Sequence, residues 1–108
     1  MVSLPIKGWP AEVVDVLADI ISDIIAPPEV EEFYIGRTNN LSATRSRHDC
    51  DEIFGIYETD SVDNAIEVEN ALIKIFVTHP KCSNNSDHGG GGASDDYING
   101  AYIALWYE

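Results

Sequence analysis

The chain has 108 residues, 44% of them hydrophobic, which suits one small domain with a modest core and leaves no room for a second. Its 19 acidic residues face only 6 basic ones, a formal charge of −13 at pH 7 that repels a phosphate backbone and argues against strong non-specific nucleic-acid binding. No apolar run nears the ~18 residues of a membrane span, and the start Met1-Val2-Ser3-Leu4-Pro5-Ile6-Lys7 lacks the layout of a signal peptide.

In chain order, Pro10 to Ile25 reads as an amphipathic helix, with Val13, Leu17, Ile20, Ile21 and Ile24 on one face. Pro10 suits the first turn and Pro27-Pro28 forces the stop. A strand is predicted over Glu31–Arg37, with Phe33 and Ile35 on one side and Tyr34 on the other. Leu41 to His48 suits a short helix capped by Asn39 or Asn40, and Ile53 to Glu58 a second strand. Asp60 or Ser61 then caps a long helix reaching about Val77. Pro80 to Ser94 is a loop ending in Gly89-Gly90-Gly91-Gly92, and Tyr97 to Tyr107 supplies a final strand. The sum is a single α+β domain over 1–108, with three strands, three helices and no internal repeat.

Two features carry chemistry. The first is a basic island: between Tyr34 and His48 there is no acid, and Arg37, Arg45 and Arg47 are half of all the bases. The second is Glu69, which falls inside the apolar stripe Val62, Ala65, Ile66, Leu72, Ile73 and Phe76 of the long helix. A carboxylate on a core face costs several kcal/mol unless it is paired, hydrogen-bonded or bound to a metal. Spacing leaves three fates open: a buried Glu–Arg pair, a side chain reaching water at the stripe's edge, or a metal ligand or catalytic acid at the mouth of a cleft.

Tyr34-Ile35-Gly36, followed by Thr38, Asn40, Leu41 and His48, resembles the second half of the signature of the GIY-YIG nucleases. Glu69 with Leu72-Ile73 resembles that family's metal-binding glutamate, and Asn84 (or Asn85) its late asparagine. The resemblance spans Phe33 to Asn85 and implies a small, three-stranded, mainly antiparallel sheet flanked by helices. The family's first tyrosine strand is missing upstream of Tyr34. A literal Gly55-Ile56-Tyr57 lies downstream, in the place of the third strand, and reads as coincidence. Gly100-Ala101-Tyr102-Ile103-Ala104 fits better, which implies a circular permutation with the last strand beside Phe33–Arg37. The family's arginine position is occupied by Thr44, with Arg45 one residue on.

The activity so implied is metal-dependent hydrolysis of DNA phosphodiesters. Glu69 would hold Mg²⁺ or Mn²⁺, Tyr34 or Tyr102 would act as general base, and Arg45 would neutralise developing charge. His48 would orient a tyrosine or shuttle a proton, Asn84 would fix the loop or the phosphate, and Arg37 and Arg47 would reach phosphate. The alternative is a catalytically lapsed acidic domain that binds a basic protein or mimics nucleic acid. Other features weigh less. His48, Cys50, Cys82, His88 and His79 match no tight zinc spacing, two cysteines imply no disulfide framework, and the glycine run lacks a phosphate-loop lysine. Asn40-Leu41-Ser42 and Asn84-Asn85-Ser86 match the glycosylation sequon but carry little weight without a signal, and a cytoplasmic location is expected. Trp9, Trp106 and the other aromatics are expected in the core.

Overall fold

The computed structural model describes residues 4–38, 44, 50–84 and 99–107. Helix α1 (Pro10–Ile25) begins with proline in its first turn, and the carbonyl of Trp9 accepts from the amides of Glu12 and Val13. Beyond Pro10, its buried residues Val13, Leu17, Ile21 and Ile25 recur every four positions and form one stripe. Pro27 and Pro28 end it, and Lys81 Nζ donates to the carbonyls of Ile25 and Pro27 at 2.7 and 3.1 Å. That cation satisfies acceptors the helix leaves open, at the negative end of its dipole.

Strand β1 (Val30–Thr38) and strand β2 (Glu52–Thr59) lie either side of strand β3 (Asn99–Tyr107), which is antiparallel to both. The element that closes the chain is therefore the centre of the sheet. In β1 against β3, Phe33 faces Leu105, Ile35 faces Ile103 and Gly36 faces Tyr102. In β2 a register shift falls between Gly55 and Tyr57, within the literal Gly55-Ile56-Tyr57. Gly100 is needed just there, since a Cβ on it would stand 2.2 Å from the Tyr57 carbonyl oxygen.

Helix α2 (Val62–Phe76) starts at Ser61, whose Oγ accepts from the Asn64 amide at 3.2 Å. It contacts all three strands, and α1 packs against it. Phe33, Ile35, Ala101, Ile103 and Leu105 face these helices in one core with Leu17, Ile21, Val68, Leu72 and Ile73. Phe33 meets Phe76 edge-on, ring centroids 6.0 Å apart. Alternation puts Tyr34, Gly36, Thr38, Tyr102 and Ala104 on the opposite face of the sheet.

Each outer edge is partly covered among the described residues, which reduces what is open to pairing with other chains. Along β2, Ile6 exchanges backbone bonds with Ile56 and Glu58, and Tyr57 Oη donates to the Gly8 carbonyl at 2.6 Å. Along β1, Phe33 bonds Lys81 and Ser83 through the backbone. No helix among the described residues is long and apolar enough to cross a membrane.

The expected α+β architecture is the one observed, with two helices and three strands among the described residues. Of the predicted 41–48 helix only Thr44 is described, and it is helical. Ile20 and Ile24 are half-buried at the border of the α1 stripe, whose fourth buried member is Ile25. Trp9 corrects an expectation: placed in the core by its chemistry, it is 67% exposed at the cap position of α1, although the adjoining Pro10 is buried.

Candidate functional site

The two features singled out in the sequence meet at one place. Arg37, near the end of β1, points to the helix side of the sheet, as Phe33 and Ile35 do. There its Nη1 donates to Glu69 Oε1 at 2.7 Å. The side chains are 12% and 1% exposed, so the pair sits inside the fold. Burial pushes the Glu69 carboxyl above its ordinary range, and the charge and hydrogen bond of Arg37 offset only part of that. Of the three fates open to Glu69, the structure takes the buried Glu–Arg pair. A divalent ion at Glu69 would compete with the guanidinium that Oε1 already binds, and the two cations would repel in a poorly solvated space. As arranged, the carboxylate does not suit a metal. Among the described residues no three of His, Cys, Asp and Glu gather into a metal-holding group.

The tyrosines lie on the other side of the sheet. Tyr34 on β1 and Tyr102 on β3 occupy neighbouring strands, ring centroids 6.3 Å apart and tilted by 34°. Tyr102 is 2% exposed. Its ring runs over Gly36, where a Cβ would lie 2.5 Å from the Tyr102 hydroxyl oxygen. Glycine at this position of the Tyr34-Ile35-Gly36 run thus has a local cause, the close approach of a cross-strand ring. Next along the same face, Thr44 Oγ1 donates to Thr38 Oγ1 at 2.7 Å. Thr44 is 1% exposed, so the residue at the implied arginine position is a buried, bonded hydroxyl.

Asn84 sits at the edge of β1. Its Oδ1 accepts from the Ile35 amide at 3.0 Å, and its Nδ2 donates to the Ile35 carbonyl at 2.9 Å. One side-chain amide thereby reproduces the pair of bonds that another strand residue would make with Ile35. Cys82 Sγ donates to the same Oδ1 at 3.4 Å, and burial pushes its thiol pKa up. Ser83 Oγ adds a bond to the Phe33 carbonyl at 3.0 Å. These bonds tie residues 82–84 to the edge of β1.

Tyr34, Tyr102, Arg37, Glu69 and Asn84 thus surround the Ile35-Gly36-Arg37 segment, but in three separate directions: far face, helix side and strand edge. Arg45, Arg47, His48, Asn85 and His88 lie outside the described residues. Sequence reasoning missed the Thr38–Thr44 bond and the capping role of Lys81. Neither leaves a periodic signal, since each joins segments through the folded chain alone. No family model, curated protein or solved structure matches the chain.

Proposed function

We propose that this chain is a non-catalytic acidic domain that binds a basic protein, built on an α+β frame resembling the GIY-YIG nucleases. The observation that supports this reading most directly is the state of Glu69. The one buried carboxylate among the described residues, which hydrolysis would require as a metal ligand, is 1% exposed and bonded to Arg37. The sheet lies between it and Tyr34 and Tyr102. A site built for catalysis keeps such a group within reach of substrate. The charge of −13 accords with a basic protein as partner.

The test has two arms. Supercoiled, single-stranded and branched DNA are incubated with the protein in Mg²⁺ or Mn²⁺, alongside Glu69→Gln and Tyr34→Phe, each checked for folding by circular dichroism. No cleavage above a heat-inactivated control is expected, and calorimetry should find no stoichiometric metal uptake. Cleavage by the wild type that both substitutions abolish would overturn the proposal.

The second reading, a metal-dependent DNA endonuclease, is favoured by one specific observation: the pairing of Tyr34 with Tyr102 over Gly36 on neighbouring strands. It requires Glu69 to exchange Arg37 for Mg²⁺ or Mn²⁺ and the freed arginine to turn toward a phosphate.

A further inference from the structure

Trp9 has neither of the roles that usually hold a tryptophan in place. It stands at the cap position of α1, where Ser, Asp or Asn would bond the first turn, yet its side chain makes no capping bond. Nor is it core, being 67% exposed. Val16, two turns further along α1, is 42% exposed, and Ile20 is half-buried at the border of the core. At about 100° per residue, Ile20, Glu12, Asp19 and Asp23 all fall within roughly 60° of Val16 around the helix, and Trp9 stands at the start of the helix two turns before Val16. Glu12, Asp19 and Asp23 are exposed, and α1 contains no basic residue.

Building on the reading of the chain as an acidic binding domain, we propose that this flank of α1 docks a basic amphipathic helix from a partner protein. The apolar strip of Trp9, Val16 and Ile20 would receive its apolar face, and Glu12, Asp19 and Asp23 its lysines and arginines. Aromatic anchors framed by charge are the usual centres of binding energy, with the charges setting orientation and encounter rate. The chemistry of the flank also excludes other occupants. Nucleic acid and anionic membranes carry the same sign of charge. A second copy docked by the same face would set Asp and Glu against Asp and Glu, with no base on either helix to relieve them. The 16 residues of α1 match a partner helix of about four turns.

The probe is a synthetic 18-residue peptide with leucines at i, i+3, i+4 and i+7 and lysines elsewhere, against a scrambled peptide of the same composition. Binding is measured by calorimetry and mapped by ¹⁵N amide shifts on the whole chain. The patterned peptide should bind at least about tenfold tighter than the scrambled one, with shifts centred on residues 9–23. Trp9→Ala and Asp19→Lys/Asp23→Lys should each weaken it by about tenfold or more; Trp9 is exposed enough that its loss leaves the fold intact. The control Asp60→Lys/Glu67→Lys, two exposed residues just before and within α2, should change affinity by less than about twofold. Equal binding of both peptides, shifts centred on α2, or no binding at all would each overturn the proposal for this flank. Binding mapped elsewhere would leave the acidic-domain reading standing, and Glu69-dependent DNA cleavage would remove that reading without altering the peptide result.

Discussion

Glu69 and Arg37 show how one residue's environment decides its chemistry. Taking both charges out of water costs several kcal/mol, and their attraction repays this only while they stay together. Removing one partner strands the other, so Glu69→Ala should lower stability by about 3–5 kcal/mol in urea unfolding. Replacing both, as in Arg37→Met/Glu69→Leu, should recover most of that loss, because an apolar pair of similar volume carries no desolvation cost. A double-mutant cycle over the four proteins measures the coupling. A Glu69→Ala cost below about 1 kcal/mol would show that the pair is not buried in solution. That Glu69 needed a partner was legible in its position on an apolar stripe. That the partner is Arg37 was not, because the two are 32 residues apart and meet only across the α2–β1 contact.

At the scale of elements, β1 is held on its two edges by unlike means. Its inner edge pairs with β3 over eight positions, while its outer edge relies on Lys81, Ser83 and the Asn84 amide. Asn84→Ala would leave an amide and a carbonyl of buried Ile35 without these partners, at about 1–3 kcal/mol for each unsatisfied group. We expect a loss of about 2–4 kcal/mol and faster hydrogen exchange at the Ile35 amide. Asn84→Asp keeps the acceptor for that amide and loses only the donor, so its cost should fall between the two. Equal costs for both variants would show that the bond from the Ile35 amide contributes nothing. The helices were legible from spacing: Val13, Leu17 and Ile21 in α1, and Ala65, Leu72, Ile73 and Phe76 in α2. Val68 escaped notice beside them, although it is fully buried in α2. Nothing in the spacing of 80–84 revealed that a loop would complete a strand's hydrogen bonds, since a side-chain amide standing in for backbone has no period.

For the whole molecule, charge sets the response to pH and salt. Glu69 holds its proton more tightly folded than unfolded. Its contribution is therefore fully present below the ordinary glutamate range near pH 4.5 and is lost as pH rises through its raised value. The mutual repulsion behind the −13 charge grows over the same interval, and both effects favour mild acid. Tm should accordingly be higher near pH ~5.5 than near pH ~8. About 0.5 M NaCl should shrink that difference by screening the exposed acids, while leaving the part due to buried Glu69, which Glu69→Gln removes. A Tm that rises with pH would contradict both assignments. At alkaline pH the raised values of Tyr57, from burial, and of Cys82 act in the same direction, each losing its contribution as it ionises.

The sequence by itself determined the elements and their faces: two amphipathic helices, a first strand with Phe33 and Ile35 on one face and Tyr34 on the other, and a carboxylate on an apolar stripe requiring a partner. These are local properties, written in periods of 3.6 and 2 that each segment carries alone. Only the tertiary structure decided that Arg37 is that partner, that Asn84 completes the edge of β1, and that Tyr102 crosses Gly36 on the face away from Glu69. It also left Trp9 outside the core. Such pairings join residues distant in the chain, and they exist only once β3, the last strand, has entered between β1 and β2. A motif can fix the order of residues along a chain. Which side of a sheet each one faces, and whether its charge is already spent on a neighbour, depends on that closure.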